Sequence, residues 1–479
     1  MRGKRFSIAV SHLAAIFTLT LLVTSTNAQT FTVLHSFDGT DGSQVFPGLV
    51  QASNGDLYGA TADGGANSDR SCVANCGTVF KITLAGKLTT LYSFCSQSGC
   101  SDGAEPQATL VQDTNGNLYG TTFGGGNGGG TVFKISPGGK LSTLYTFCSK
   151  SGCSDGNGPA APLVEATNGD LYGTTLFGGA SNACSGGCGV VFKITLTGTL
   201  TTLHSFDSTD GAGPEAALVQ STDGNFYGTA NQGGAHGGGT VFKITPSGKL
   251  TTLYNFCSQS GCTDGANPIA GLVQATDGNF YGTATQGGAN GYGTVFKITP
   301  SGKLTTLDSF GPYGFPEATL VLATDGNFYG TTSSGGAAGD GTIFKITPSG
   351  KLTTLHTFDG TDGEFTAAAL VQDTNGKFYG TAPGGGANGD GTVFSLSVGL
   401  GPFVETQPNS GKVGSAVKVL GTNLIGATSV TFNGTAAVFK VVSASLITTD
   451  VPTGATTGTV EVTTPKGTLK SNVAFRVTK

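Results

Sequence analysis

A tyrosine-centred motif that recurs through most of the chain constrains its fold more than any other feature. The motif [LF]-Y-G occurs seven times, with its tyrosine at Tyr58, Tyr119, Tyr172, Tyr227, Tyr281, Tyr329 and Tyr379. Successive copies are 48 to 61 residues apart. A period of this length predicts a repeat architecture, in which each unit is one supersecondary element packed against its neighbours.

Each repeat predicts four short β-strands, which we name a, b, c and d. In the fourth repeat these are Ala216–Gln220, Phe226–Ala230, Thr240–Thr245 and Leu250–Phe256. Asn-Gly or Asp-Gly between a and b, and Pro-Ser-Gly between c and d, are typical of tight reversals. Seven units of four antiparallel strands predict an all-β, seven-bladed β-propeller. A β-solenoid, the alternative, needs much shorter repeats.

The two ends of the repeat array predict that the propeller closes on itself. The seventh repeat stops after strand c at Thr392–Leu396, and no strand d follows it. Near the start of the chain, Phe31–Phe37 (FTVLHSF) matches the strand d sequence Leu200–Phe206 (LTTLHSF). Pairing this first strand with the last repeat would leave no exposed sheet edge to aggregate. We therefore expect a closed propeller over residues 29–397.

The N-terminus predicts export. Arg2, Lys4 and Arg5 precede the apolar run Ile8–Val23 and a small-x-small site at 26–28, so residues 1–28 are typical of a signal peptide; a membrane anchor is the alternative. Later segments lack the roughly 20 apolar residues of a membrane span. Cleavage lowers Lys+Arg from 24 to 21 against 29 acidic residues, a net charge of −8. Such a chain is a poor binder of nucleic acid or anionic membranes.

All ten cysteines fall in close pairs on one predicted face. Connections in an antiparallel sheet alternate between its two ends, so the a–b and c–d turns form one face, the turn face. The b–c and d–a loops form the other, the loop face. The d–a loops hold Cys95/Cys100, Cys148/Cys153 and Cys257/Cys262, and the b–c loops hold Cys72/Cys76 and Cys184/Cys188. In an exported chain this predicts five local disulfides. Zinc is the alternative, although no histidine accompanies any pair.

Aspartates recur in the d–a loops, always before glycine. They are Asp102, Asp155, Asp210, Asp264 and Asp362. One interpretation is an Asx-type turn that orders each loop. The other is binding of calcium or a cationic ligand, since Asp-x-x-Asp pairs such as Asp207 and Asp210 cluster hard oxygens, without matching an EF-hand.

Histidines give no catalytic pattern. His35, His204 and His356 share one strand d position, where Tyr92 and Tyr145 stand in other repeats. We expect them to pack within the blades or to be exposed to solvent.

Two further sets of residues are candidate functional positions. Tyr292, Tyr313 and Phe315 lie in loops of the fifth sector, where aromatic rings can stack on sugars or seat a peptide, or simply pack the loop. Strand a ends in glutamine near the predicted axis, except where Glu165 and Leu322 replace it. We expect this set to be a hydrogen-bonded plug, because acid–base chemistry usually needs two carboxylates. The glutamines are Gln51, Gln112, Gln220, Gln274 and Gln372.

Two family resemblances cover most of the chain. The segment PNSGKVGSAVKVLGTNLIGATSVTFNGTAAVF (Pro408–Phe439), with Val451–Gly467 and Val473–Val477, resembles the IPT/TIG immunoglobulin-like module. We expect this module at residues 404–479, after a linker at 398–403, and the resemblance implies a binding or spacer domain. The segment DGNFYGTATQGGANGYGTVFKITPSG (Asp277–Gly302) and its copies resemble the Gloeo/Verruco tandem repeat of exported bacterial proteins. That resemblance implies export and no particular activity.

These features predict a secreted, cell-surface or periplasmic binding protein that is monomeric, non-catalytic and free of cofactors, with calcium as the one open possibility. Its loop face would engage an extracellular glycan or protein. One alternative is a propeller enzyme that acts on polysaccharide through Asp155, Glu165 and Asp210; another is a structural envelope protein. Two convergent carboxylates with raised pKa at the channel mouth would favour the enzyme.

Overall fold

The computed structural model describes residues 29–67, 76–113 and 115–478. The predicted signal peptide and Cys72 lie outside these residues. The helices in the described chain are three single 3-10 turns, at Ser98–Cys100, Ser151–Cys153 and Ser260–Cys262. All other regular structure is β-strand.

The repeats form seven four-stranded antiparallel sheets, here numbered 1 to 7, of the kind found in propeller blades. Strands a and b, given as one pair for each of sheets 1 to 7 in order, are Val50–Gln51 with Leu57–Thr61; Val111–Gln112 with Leu118–Thr122; Val164–Glu165 with Leu171–Thr175; Val219–Gln220 with Phe226–Ala230; Val273–Gln274 with Phe280–Ala284; Val321–Leu322 with Phe328–Thr332; and Val371–Gln372 with Phe378–Ala382. Strands c and d of sheets 1 to 6 are Thr78–Ile82 and Leu88–Ser93, Thr131–Ile135 and Leu141–Thr146, Val190–Ile194 and Leu200–Ser205, Thr240–Ile244 and Leu250–Asn255, Thr294–Ile298 and Leu304–Ser309, and Thr342–Ile346 and Leu352–Thr357.

The first described strand belongs to the last sheet. Strand c of sheet 7, Thr392–Ser397, pairs antiparallel with Thr30–Ser36, which takes the place of strand d. This is the pairing that the two ends of the array predict. Sheet 7 also contacts sheet 1, because the Thr374 backbone N–H donates to Gln51 Oε1 at 3.0 Å and Thr381 Oγ1 donates to the Pro47 carbonyl at 2.9 Å.

Strand a is shorter than the sequence predicts. In the fourth repeat only Val219–Gln220 pairs with strand b, whereas Ala216–Leu218 does not. The reason is a competing partner, since the carbonyl of Ala216 accepts a hydrogen bond from Thr174 Oγ1 of sheet 3. The segment before each short strand a therefore links neighbouring sheets.

The [LF]-Y-G motif is explained by packing in strand b. A Cβ atom on Gly228 would lie 2.7 Å from Phe242 Cζ and 2.8 Å from Leu218 Cδ2, so only glycine fits beneath these side chains. The preceding Tyr227 reaches the next sheet, where its ring stacks on Phe280 at a centroid distance of 4.1 Å. Each motif thus serves packing both within its own sheet and against the next sheet.

The C-terminal domain is an immunoglobulin-like pair of sheets. One contains Glu405–Gln407, Ala416–Leu420, Leu446–Asp450 and Phe439–Val441, and the other contains Thr435–Ala436, Ser429–Phe432, Val460–Thr464 and Gly467–Lys470. Ser410–Lys412 pairs in parallel with Arg476–Thr478. Buried Val419, Ile447 and Val462 share one apolar cluster between the sheets.

Candidate functional site

The b–c and d–a loops of a repeat meet at the same end of its sheet. In the first repeat Ser43 and Asp63 exchange backbone hydrogen bonds of 2.9 and 3.1 Å. Equivalent bridges join Ala104 with Gly124, Asn157 with Phe177, Ala212 with Gln232, Ala266 with Gln286, and Glu364 with Gly384. The two kinds of loop therefore form one connected layer, the loop face.

Disulfides hold individual loops of this layer. Cys95–Cys100, Cys148–Cys153 and Cys257–Cys262 close d–a loops, and Cys184–Cys188 closes a b–c loop. Cys76 is also disulfide-bonded, whereas its predicted partner Cys72 lies outside the described residues. The sulfur atoms of Cys76, Cys95 and Cys100 lie within 4.8 Å of one another, so two of these crosslinks are neighbours.

Three of the predicted binding aspartates are completely buried within their loops. Asp102, Asp155 and Asp264 are 0% exposed. Oδ2 of Asp264 accepts hydrogen bonds from Tyr254 Oη at 2.8 Å and from the hydroxyl and backbone N–H of Ser258 at 2.8 and 2.9 Å. Asp102 and Asp155 have the same partners in their own repeats. These carboxylates order the cysteine loops and are not accessible to a ligand, so the hypothesis that they bind one is corrected here.

Asp210 and Asp362, the other two, pair with histidines. His204 Nε2 lies 2.7 Å from Asp210 Oδ2, and His356 Nε2 lies 2.8 Å from Asp362 Oδ2. His35 and Asp41 make the same contact at 2.7 Å. The strand d residue and the loop aspartate therefore form one pair in every such repeat. This pairing could have been predicted from the sequence, because strand d carries tyrosine before each d–a loop with a cysteine pair and histidine before each Asp-x-x-Asp loop.

The remaining Asp-x-x-Asp carboxylates also have protein donors. Oδ1 of Asp207 accepts from the backbone N–H groups of Thr209 at 2.9 Å and of Asp210 at 3.3 Å. Asp38 and Asp359 repeat this arrangement. Among the described residues, the cysteine group above is the one place where three His, Cys, Asp or Glu side chains come within metal-ligating distance of each other.

Aromatic side chains are exposed on the loop face. Tyr292 contacts both Tyr313 and Phe315, with ring centroids 5.4 and 5.7 Å apart, as their shared sector predicts. Tyr313 is 62% exposed, and three phenylalanines that the sequence did not single out are also exposed. They are Phe46 at 42%, Phe177 at 36% and Phe365 at 50%. The sequence could have indicated these phenylalanines as candidates, because they occupy loop positions that vary between repeats.

Several of these aromatic residues have an unusual backbone. Tyr313, Phe315 and Phe365 have φ angles of 64°, 40° and 59°. Bulky residues rarely adopt this left-handed region. Phe315 and Phe365 share it with the matching loop position of other repeats, such as Gln44 at 54° and Asn267 at 54°, so the repeat itself imposes this conformation.

Glu215 and Glu317 form a carboxylate pair that the sequence did not predict. They lie just before strand a of sheets 4 and 6. Burial raises the pKa of both, and the charge of Glu317 raises the pKa of Glu215 further. Asn231 Nδ2 donates to Glu215 Oε1, and Ser333 Oγ donates to Glu317 Oε1 at 3.0 Å. Neither carboxylate has a lysine or arginine partner in the described chain.

A second pair of acidic side chains lies on the same face. Burial raises the pKa of both Asp63 and Glu105, and the charge of Asp63 adds to the effect on Glu105. The loop face thus holds two sets of carboxylates whose pKa values are raised by burial, and in each set the charge of one carboxylate acts on the other.

The glutamines at the end of strand a connect the sheets. Gln112 Oε1 accepts from the Ser53 backbone N–H at 2.9 Å, and Gln220 Oε1 accepts from the Thr167 N–H at 3.0 Å. Gln51, Gln274 and Gln372 do the same between other neighbouring sheets. The predicted hydrogen-bonding role is therefore observed.

Glu165 takes the position of a glutamine at the turn-face end of strand a. The prediction that grouped it with the loop-face carboxylates Asp155 and Asp210 is wrong, because strand a runs from the loop face towards the turn face. Burial and the charge of Asp113 raise the pKa of Glu165 to about 7.

The C-terminal domain rests on the turn face. Gln407 Nε2 donates to the Gln112 carbonyl at 2.8 Å, and the Phe403 backbone N–H donates to the Thr374 carbonyl at 3.0 Å. Arg476 donates to the Thr222 carbonyl on the far side of the same face. The domain therefore leaves the loop face uncovered. Within residues 29–67, 76–113 and 115–478, no helix has the length and apolar character needed to cross a membrane.

Solved structures of similar fold have very different sequences. A fungal alcohol oxidase of the AA5 family matches with a TM-score of 0.53 and 13% identity, over 94% of this chain and 99% of that one. The extracellular domain of a hybrid two-component system from B. thetaiotaomicron matches at 0.51 and 12%, over 94% of this chain and 59% of that one. A protein described as a 6-phosphogluconolactonase, from Bacteroides fragilis, matches at 0.44 and 17%, over 78% and 90%. At such identities the first two likenesses show the fold alone.

No curated protein of significantly similar sequence was found. The Gloeobacter/Verrucomicrobia repeat matches residues 9–221, 71–274, 153–319 and 221–438. The IPT/TIG domain matches residues 404–477. Because the overlapping repeat matches span most of the chain, the protein belongs to the Gloeobacter/Verrucomicrobia repeat family and carries a C-terminal IPT/TIG domain.

Proposed function

We propose that this protein is an exported, non-catalytic binding protein whose loop face engages an extracellular glycan or protein. In this proposal the seven sheets are the blades of one closed propeller. Its closure is supported by the strand Thr30–Ser36 in sheet 7 and by the Gln51–Thr374 hydrogen bond between sheets 7 and 1. Its export is supported by the disulfides, which persist in oxidising compartments.

The observation that carries the proposal is the set of exposed aromatic rings on the loop face. Phe46, Phe177, Tyr313 and Phe365 expose a third or more of their surface there. The turn face, by contrast, is occupied by the IPT/TIG domain. The loops of Phe46 and Phe365 are ordered by the histidine–aspartate and Asp-x-x-Asp contacts, and the loop of Phe177 by a disulfide, so these loops lose little conformational entropy on binding. Aromatic anchors dominate the binding energy of many such interfaces.

A binding screen with matched variants tests this function. Residues 29–479 would be probed on a glycan array and against extracellular matrix proteins by surface plasmon resonance. Tyr313→Ala and Phe365→Ser should each weaken a detected interaction by about tenfold, since truncating a central aromatic anchor costs more than 1 kcal/mol. Val438→Ser, a change at a 93% exposed residue of the IPT/TIG domain, is the control and should have no effect. An interaction that depends on Val438 and on neither aromatic residue would contradict the proposal.

A second candidate function is hydrolysis of an extracellular polysaccharide, and Glu215 with Glu317 is the observation that favours it. Two carboxyl groups whose charges interact and whose pKa values are raised by burial can divide the roles of general acid and general base. Activity on a polysaccharide panel that is lost in both Glu215→Gln and Glu317→Gln would support catalysis. Activity that survives either substitution would remove this pair from consideration.

A further inference from the structure

The two faces of the repeat array differ sharply in charge. The described b–c and d–a loops contain sixteen acidic residues, thirteen in d–a loops and three in b–c loops, against a single lysine, Lys150. The a–b and c–d turns contain seven acidic residues against six lysines. The negative charge of the propeller is therefore concentrated on the loop face, the face that the IPT/TIG domain leaves open.

Two half-buried carboxylates of this acidic face lack positive partners. The charges of Glu215 and Glu317 interact, and neither side chain is in an ion pair with a described residue. Beside them Asn231 is only 8% exposed, and its Oδ1 has no hydrogen-bond partner. An ionised carboxylate can accept more hydrogen bonds than the single one that each glutamate receives from Asn231 or Ser333, so this position favours a ligand that brings hydrogen-bond donors and positive charge.

We infer that the loop face binds a basic polypeptide segment, whose arginine or lysine side chains reach Glu215 and Glu317 while its apolar side chains contact Phe46 and Phe365. This inference rests on the proposed binding function and names the chemical class of its ligand. Charge complementarity of this kind accelerates association and selects partners.

A basic peptide fits the face better than a sugar polymer does. The chain has no tryptophan, and the exposed loop-face rings are phenylalanine at Phe46, Phe177 and Phe365, with only Tyr313 carrying a hydroxyl. A guanidinium group can meet a carboxylate through two parallel hydrogen bonds and can also lie over an aromatic ring. Arginine therefore uses both kinds of group that this face offers.

A labelled peptide gives the test. The probe is a fluorescein-labelled peptide of alternating arginine and leucine, measured by anisotropy with residues 29–479. The comparison probes are a glutamate–leucine peptide and a chitosan oligomer. We expect the arginine peptide alone to bind, with affinity that falls as salt rises from 50 to 300 mM because screening weakens exposed charge pairs.

Charge-neutralising variants locate the binding. Glu215→Gln with Glu317→Gln should weaken binding about tenfold or more, since both changes remove buried charge partners. Asp450→Asn with Glu461→Gln removes the same charge from the IPT/TIG domain and should change binding less than twofold. Thermal unfolding of each variant confirms that it is folded.

Different results would contradict the basic-peptide ligand and the general binding function on which that ligand rests. Equal weakening by both double variants would mean non-specific attraction and would overturn the inference. Tighter binding of chitosan, or of a neutral glycan in the wider screen, with loss in Phe365→Ser would overturn the peptide class and leave the binding function standing. Absence of any loop-face-dependent ligand in either experiment would overturn both.

Discussion

Each of the predicted binding aspartates in the loops pairs with a tyrosine or histidine of strand d. The sequence showed that both kinds of residue recur, but it did not show that they contact each other. The recurring loop aspartates suggested an Asx turn or a cation site. The strand d histidines, such as His204, suggested packing or solvent exposure, and Tyr145 was noted only as standing at the same repeat position. The structure joins the two sets, since Asp155 accepts from Tyr145 at 2.8 Å and Asp210 contacts His204 at 2.7 Å. A comparison between repeats could have found the pairing, whereas the burial of Asp155 depends on how its loop closes.

The Asp155 carboxylate predicts an acid-sensitive contribution to stability. Burial pushes its pKa upward, but hydrogen bonds from Ser149 and Tyr145 outweigh burial and hold the pKa below 3.8. Because the folded-state pKa is lowered, the stabilisation is fully present above the unfolded pKa near 4 and is lost as pH falls through the folded value.

Asp155→Asn should therefore lower the free energy of unfolding by roughly 1–3 kcal/mol at pH 7. The difference from wild type should shrink below pH 4, as urea titrations at several pH values would measure. Asp450→Asn, at an exposed position, is the control. A difference that stays constant down to pH 2 would contradict the assignment.

Strands were predicted well where their partners lie in the same repeat. Strand b of the fourth repeat runs over Phe226–Ala230 as predicted, because alternating side chains and a tight turn specify a local hairpin. Strand a begins later than predicted, because Ala216 bonds to a threonine of the preceding sheet. A pattern within one repeat cannot predict a hydrogen bond to a residue of another repeat.

Any side chain in place of the strand b glycine should destabilise the fold, because there is no room for a Cβ atom. Gly228→Ala would place a methyl group against Phe242 and Leu218 and should cost about 1–3 kcal/mol of unfolding free energy, as overpacked cores do. Gly311→Ala is the matched control, since no heavy atom lies within 4 Å of a Cβ there. Guanidinium denaturation measures both variants. Equal losses would indicate a general effect of replacing glycine.

On the scale of the whole molecule, the proposed closure of the propeller makes a prediction about stability. Deleting residues 29–36 should lower the unfolding midpoint of the entire propeller, because the deletion exposes strand Thr392–Ser397 as an edge. A synthetic peptide with the sequence of residues 29–37 should restore part of the loss. Calorimetry with an unchanged midpoint after deletion would contradict closure by this strand.

The contact between the propeller and the IPT/TIG domain should weaken as pH rises. Glu405 begins the first strand of the IPT/TIG domain and is exposed to water, and its charge interacts with that of buried Asp373 on the turn face. Desolvation by the surrounding protein and the charge of Asp373 raise the pKa of Glu405 to about 7, and burial raises the pKa of Asp373 to about 6. Because both folded values are raised, the stabilisation is present below the unfolded values near 4 and is lost as pH rises through 6 to 7.

Glu405→Gln should remove most of this pH dependence. Scanning calorimetry at pH 5 and pH 8 would show a drop in the wild-type melting temperature that is smaller in the variant. Glu461→Gln, elsewhere on the same domain, should behave like wild type. An identical drop in wild type and Glu405→Gln would show that this carboxyl group is not responsible.

The sequence by itself determined the repeats, the hairpins within them, the placement of paired cysteines in loops and the pairing of the first strand with the last repeat. These depend on contacts between residues close in the chain, or on a match between two nearly identical segments. Only the tertiary structure decided that Asp264 is buried, that the charges of Glu215 and Glu317 interact and that the IPT/TIG domain occupies the turn face. The burial of Asp264 depends on how its own loop closes. The other two relations join residues from different repeats or domains, where distance depends on how the sheets are arranged around one another and not on spacing along the chain.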